Sequence, residues 1–145
     1  MGNSDLTTHK FVVVLNKKYE VPRLMNALGH VTLALVERAS DAVRKDMAVV
    51  DYIDADGNVF PLSNNSFVIL KADNANKLRT LLLSARQAEG LEVKVFTHTT
   101  YKGTFVEQLV DTKNTKEADM DYIAVAVFGE ISKVSELTRK FSLYT

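Results

Sequence analysis

The sequence predicts an α/β layer fold, a small sheet with helices on both faces, and three observations carry that expectation. Phe11-Val12-Val13-Val14-Leu15 and Tyr122-Ile123-Ala124-Val125-Ala126-Val127-Phe128 are apolar at consecutive positions, the pattern of a strand covered on both sides. Leu24, Leu28, Val31 and Leu35 recur at helical spacing, so the segment carrying them has one face to lay on a sheet. Strand-like and helix-like segments alternate along the chain, which stacks them in layers.

Taken in order, residues 1–9 are polar and are expected to form a flexible tail, leaving 10–145 as a single domain. After the first strand, Pro22 opens a helix at its first turn, where a missing N–H costs nothing, and the helix is expected to run to about Ser40. Between Met47 and Pro61 short alternating runs flank Asp54-Ala55-Asp56-Gly57-Asn58, which reads as a peripheral hairpin turning at Asp56-Gly57. Ser66-Phe67-Val68-Ile69-Leu70 is a second buried strand. Asp73 is expected to cap a helix that points Leu78, Leu81, Leu82 and Ala85 inward, with Gly90 as its left-handed end. Leu91 to Phe96 alternates as a third strand. A short helix follows from Thr104 to Asp111, then a charged surface loop from Thr112 to Asp119. Gly129 is expected to terminate the last strand, and Ile131, Val134 and Leu137 to face the final helix inward.

Composition narrows the function classes. A chain of 145 residues is long enough to bury roughly two thirds of its unfolded surface around one core. Eighteen basic and eighteen acidic residues cancel, so the excess of positive charge that marks a dedicated duplex binder is missing. There is no cysteine, which removes thiol nucleophiles and thiolate metal sites and suits a cytoplasmic setting. The apolar runs fall far short of the ~20 residues of a spanning helix, so no membrane partner is expected. Leu6 stands where a myristoylation signal after Gly2 needs Ser or Thr, and Asn64-Asn65-Ser66 reads as a loop. No Gly-x-Ser-x-Gly elbow or phosphate loop is present, and Asp54, Asp56 and Asn58 lack the distal Glu of a calcium loop. Two histidines on different elements do not make a metal site. Neither a metal nor a cofactor is expected.

Ligands of open α/β sheets tend to bind beyond the carboxyl ends of parallel strands. The first strand delivers Asn16-Lys17-Lys18 there, the second Lys71-Ala72-Asp73, and the third His98-Thr99-Thr100-Tyr101-Lys102. An antiparallel last strand would bring Asp119 and Asp121 to the same edge. Arg23, Asn26 and His30 share one face of the first helix near its start, and Gly29 beside His30 costs helix propensity, which a close neighbour or a ligand explains. Candidate catalytic residues are therefore His30 and His98 as general base, with Lys17 or Thr100 positioning a substrate. Asn16, Arg23, Asn26, Tyr101 and Asp121 are the candidate ligand-binding residues.

The succession of Lys10-Phe11-Val12-Val13-Val14-Leu15, the Pro22 helix, the Leu91 to Phe96 strand and the Tyr122 to Phe128 strand resembles the uncharacterised DUF two-thousand family, which shares the type II peptidyl-tRNA hydrolase fold. The likeness covers nearly the whole chain from Lys10 onward, and Val21-Pro22-Arg23-Leu24-Met25-Asn26-Ala27-Leu28-Gly29-His30 is its most specific stretch. It implies a three-layer α/β/α domain whose four-stranded mixed sheet has the order 2-1-4-3 with the last strand antiparallel, plus the peripheral hairpin. The hydrolase motifs do not carry over. Those enzymes open their first helix with Gly-Lys-Gly-Lys followed by Gln and His, where this chain has Pro22-Arg23-Leu24-Met25 and then Gly29. After the third strand they carry Asp-Ala-Gly-x-Thr-Gln, where this chain has His98-Thr99-Thr100-Tyr101-Lys102-Gly103. Arg23 and Thr100 are the only partial replacements.

The expectation is a small-ligand or protein-binding domain on a peptidyl-tRNA hydrolase II-like scaffold. The alternatives are a hydrolase or transferase using His98 or His30 as base, and residual peptidyl-tRNA hydrolase activity. A small molecule is the leading partner. Because the related hydrolases are often dimeric, the resemblance also implies a homodimer, and it leaves tRNA open.

Overall fold

The computed structural model describes residues 7–145; residues 1–6, most of the expected tail, lie outside the described residues. The elements run β1 (His9–Asn16), α1 (Val21–Glu37), α2 (Asp41–Asp46), β2 (Val49–Ile53), β3 (Val59–Ser63), β4 (Ser66–Ala72), α3 (Ala75–Gln87), β5 (Glu92–Thr97), α4 (Phe105–Asn114), β6 (Tyr122–Glu130), α5 (Ile131–Thr138) and β7 (Ser142–Leu143), with 3₁₀ turns at His98–Thr100 and Glu117–Asp119.

The main sheet has five strands in the order β5-β6-β1-β4-β7. β1 pairs parallel with β4 and antiparallel with β6, so Val13 lies between Ile69 and Ala126. β5 pairs antiparallel with β6. The expected four-stranded sheet is thereby corrected: Ser142 and Leu143 pair antiparallel with Lys71 and Leu70 and add an edge strand beyond β4. A two-residue strand after a helix has no periodicity to betray it, and it forms because β4 would otherwise leave that edge unpaired.

Alternation along β1 splits the core in two. Phe11, Val13 and Leu15 join Phe96, Ala124, Ala126 and Phe128 against Leu24, Ala27, Val31 and Leu35 of α1. Val12 and Val14 join Leu70, Ala72, Val125 and Val127 against Leu78, Leu81, Leu82 and Ala85 of α3 and Val134 of α5. Helices therefore cover both faces, and each fully buried leucine contributes about 1.5–3 kcal/mol.

Several local expectations change. Asn74, not Asp73, caps α3, its side chain accepting from Lys77 N at 3.0 Å, because Asp73 is engaged by two lysines. α3 closes at Ala88, and Gly90 adopts its positive φ of 78° two residues further on. β6 continues through Gly129 to Glu130, and a Cβ on Gly129 would press on the end of the Leu91 side chain and on Gly90 O, so close packing rather than strand termination favours glycine there. Ile131 stays 37% exposed while Val134 is buried. The amino half of β4 is open, with Phe67 exposed. Much of the segment expected as a charged loop is helical, since α4 extends to Asn114.

Candidate functional site

The carboxyl edge of β1 is built from groups that satisfy one another. Asn16 is 1% exposed. Its amide donates to Tyr122 O at 3.0 Å, and its side-chain oxygen accepts from Lys18 N at 3.1 Å. It thus staples the end of β1 to the start of β6. Lys17 N donates to Ala72 O at 3.0 Å, and Lys17 Nζ lies 2.9 Å from Asp73 Oδ1, closing the ends of the parallel pair. Hydrogen bonds from Lys17 first and Lys77 second hold the Asp73 carboxyl below the usual carboxylate range.

Asp121 is delivered by a loop that Arg79 clamps from α3. The Arg79 guanidinium meets Glu117 Oε2 at 2.8 Å and Met120 O at 2.7 Å, and Tyr122 Oη donates to the same Glu117 oxygen at 2.8 Å. Next to that loop, His98 N donates to Asp121 O and Asp121 N donates to His98 Nδ1, both at 3.0 Å. This exchange extends the β5–β6 ladder past its irregularity at Phe96 and Thr97. Because Nδ1 accepts, the neutral ring carries its proton on Nε2. His98 then offers a substrate an N–H donor, and neither nitrogen is available as a base while the exchange holds.

Tyr19 donates its hydroxyl to Asp121 Oδ2. Burial pushes the phenol well above its ordinary pKa, and the Asp121 hydrogen bond and negative charge push it further. Tyr19 was not singled out by sequence reading; its only signal is its place between the end of β1 and the start of α1. Its ring meets Tyr101 edge-on at 6.1 Å, and Arg23 covers the Tyr101 ring at 4.6 Å while reaching Tyr101 O at 3.4 Å. Thr100 Oγ1 donates to Thr97 O at 2.9 Å.

Of the sequence candidates, Asn16, Lys17, Arg23, His98, Tyr101 and Asp121 are linked along this edge through one another, Tyr19, Tyr122 or Asp73. Thr100 faces back onto its own chain. His30 stacks on Phe96 at 5.7 Å on the exposed side of α1, and Asn26 is exposed. Among the described residues no hydrogen bond joins His30 or Asn26 to His98, and no buried side-chain polar atom lacks a partner. No group of three or more His, Asp or Glu side chains among the described residues is arranged to hold a metal, and no helix there is long and apolar enough to cross a membrane.

A second region has the opposite character. A groove of about 1270 Å³ lies between α3 and α5, starting at the carboxyl end of β4, and is somewhat larger than the roughly 300–1,000 Å³ of small-molecule sites. Leu81, Leu91, Leu137 and Phe141 supply its apolar surface. Lys71, Lys77, Lys133, Arg139 and Lys140 line it against Asp73, Glu89 and Glu136, an excess of cations. Lys77 is paired with Asp73 at 3.3 Å, Arg139 with Glu136 at 3.5 Å, and Lys133 donates to Glu89 O at 3.3 Å. Lys140 has no ion-pair partner among the described residues; Lys71 has none either, but Leu70 and Ala72 on either side of it face α3, so its side chain points to the opposite face of the sheet. The sequence placed Lys71 at a strand end but read α5 only for its inner face, and the groove exists only once α3 and α5 lie side by side.

Residues 9–145 match the family model described as "Protein of unknown function (DUF2000)". A solved structure of a protein of unknown function from Agrobacterium tumefaciens superposes with a TM-score of 0.77 at 16% identity, covering 97% of this chain and 100% of that one. That likeness is one of fold. No curated protein matches the chain significantly.

Proposed function

This chain belongs to the DUF2000 family of proteins of unknown function, and we propose that it is a binding domain that takes a small amphipathic anion in the groove between α3 and α5. The observation that carries the reading is the excess of cations along the groove, with Lys140 lacking an ion-pair partner among the described residues, beside an apolar surface formed by Leu81, Leu91, Leu137 and Phe141. An apolar ligand body would gain from leaving water on those side chains. A carboxylate or phosphate head would gain more from Lys140 than from an ion-paired lysine, which already has a partner. The place also accords with the tendency of α/β sheets to bind ligands at the carboxyl ends of parallel strands, here β4.

Binding is favoured over hydrolysis or group transfer because the strongest candidate base, His98, has its Nδ1 occupied by Asp121 N. A peptidyl-tRNA hydrolase II-like scaffold belongs to the same proposal. It is supported by the adjacency β5-β6-β1-β4 with β6 antiparallel to its neighbours. Pro22-Arg23-Leu24-Met25 at the start of α1 speaks against the hydrolase activity itself.

Thermal unfolding in the presence of aryl carboxylates, aryl phosphates and medium-chain fatty acids, each beside its uncharged alcohol, tests the reading. A ligand that binds only the folded state adds about 2.7 kcal/mol of stability at a hundred times its Kd. The expected result is stabilisation by anions, lost in the Lys140→Glu variant. Equal stabilisation of that variant, or none of the wild type by any anion, would sink the proposal.

A further inference from the structure

The amino end of β1, opposite the edge described above, carries the third histidine of the chain in a different arrangement. Thr8 Oγ1 lies 2.7 Å from His9 Nδ1, and His9 Nε2 lies 3.5 Å from Asp46 Oδ2. A carboxylate only accepts, so the nitrogen facing it carries the ring proton, and Nδ1 keeps a lone pair for the Thr8 hydroxyl. At His98 a backbone N–H fills Nδ1. At His9 the basic nitrogen faces an alcohol instead.

Each member is held by a different part of the fold. The His9 ring stacks on Phe128 at 5.5 Å, and its side chain is 20% exposed. Asp46 ends α2, and its carbonyl accepts from the amide of buried Asn65 at 2.7 Å. That bond lies at the foot of a hairpin in which every residue of β2, and every residue of β3 before Ser63, is exposed. Thr8 O accepts from Ile131 N at 3.0 Å, tying the backbone of Thr8 to the first turn of α5. Hydroxyl, imidazole and carboxylate in this order form the relay that activates an alcohol for attack, and it is recognised by geometry and roles rather than by sequence position.

A cleft of about 640 Å³ opens beside them, lined by Thr8, His9, Glu130, Ile131 and Ser132. Ser132 is the second residue of α5, a helix with no side-chain cap. Its backbone N–H is therefore among those that no turn of the helix satisfies, at the positive end of the helix dipole. The Glu130 carboxylate opposes an anionic substrate, and Ile131, 37% exposed, offers apolar surface.

We infer that Thr8, His9 and Asp46 form an esterase site for small neutral carboxylic esters, an activity that goes beyond the binding reading and does not rest on it. Thr8 Oγ attacks the carbonyl carbon while its proton passes to His9 Nδ1, and the carbonyl π pair moves onto oxygen, stabilised by the Ser132 N–H. Asp46 steadies the imidazolium. Collapse of the tetrahedral intermediate breaks the ester C–O bond; the alcohol leaves with the proton from His9, and the acyl group stays on Thr8. Water then attacks the acyl carbon and gives a proton to His9 Nδ1, the bond to Thr8 Oγ breaks, and Thr8 recovers its proton from His9 as the acid departs. Ester and water become acid and alcohol with no other reactant.

A p-nitrophenyl acyl ester and an alkyl fluorophosphonate, each given to the full chain, test this. The wild type should turn over the ester and carry the phosphonate on Thr8, located by mass spectrometry of its peptides. Thr8→Val should lose both reactions, Thr8→Ser should keep both, and Thr7→Val should behave as the wild type. His9→Gln and Asp46→Asn should each lower kcat at least about a hundred-fold, the size of a general-base contribution, with thermal unfolding showing that the variants fold. A wild type left unlabelled at Thr8, or hydrolysis that survives Thr8→Val, would overturn the inference and leave the three residues a clasp on the start of the strand.

Discussion

The carboxyl edge of β1 and the groove between α3 and α5 both carry charged and polar residues near the ends of parallel strands, yet they differ in what those residues do. At the edge, Asn16, His98, Asp121 and Tyr19 are each bonded to another part of the same chain. In the groove, Lys140 lacks an ion-pair partner among the described residues and lies beside an apolar wall. A polar cluster that satisfies itself is structure; one that leaves charge over is available to a ligand. Residue type and position along a strand are shared by both, so only the partners separate them.

The largest expected effect lies in the groove. Lys140→Glu should lower the affinity for a stabilising anion at least about ten-fold, given about 1.5–3 kcal/mol for a charge-assisted contact. Calorimetric titration measures it, and unfolding stability should move by no more than about 0.5 kcal/mol per site. At the edge the pattern should reverse. Asn16→Leu strands Tyr122 O in a buried place and removes the partner of the part-buried Lys18 N, and should cost about 1–3 kcal/mol in urea unfolding, while the folded variant binds the anion as before. Loss of binding in a folded Asn16→Leu protein would erase the distinction between the two regions.

Smaller changes sharpen it. Tyr19→Phe removes the donor to Asp121 and should cost about 1 kcal/mol near neutral pH. Because the folded protein raises the Tyr19 pKa, its contribution is fully present below the unfolded value, near 10, and is lost as pH rises towards the folded value. The wild type should therefore lose stability on alkaline titration more steeply than Tyr19→Phe, and parallel slopes would show the phenol to be unimportant. The smallest effect belongs to Lys17→Met. Asp73 is held below its usual range, so its contribution is present above the unfolded pKa and fades as pH falls through the folded one. The variant should flatten the acid limb of the stability profile slightly, and no change would mark the Lys17–Asp73 pair as ornamental.

How far the site was readable from the sequence follows the same division. The rule that ligands gather at strand ends led to Asn16, Lys17, His98 and Asp121; of these His98 and Asp121 bond to each other, Asn16 reaches Tyr122 beside them and Lys17 pairs instead with Asp73, and the rule is silent on whether such residues face a ligand or each other. Tyr19 escaped notice because its partner lies 102 positions away. Lys140 escaped because it lies beyond the last helix, where no pattern connects it to the rest of the groove. The hairpin was legible as an element through Asp56-Gly57, while its lack of cover was not, since alternation looks alike whether a strand is buried or bare.

By itself the sequence determined β1, β6 and the inner faces of α1 and α3. Consecutive apolar residues in a strand, and apolar residues at helical spacing, each have one arrangement that removes them from water, and that arrangement is encoded locally. Tertiary structure alone decided the fifth strand at Ser142–Leu143, the tautomer of His98, the groove between α3 and α5 and the open face of the hairpin. Each of these depends on which distant groups come within a few ångströms of one another, and contact between distant groups leaves no period in the chain.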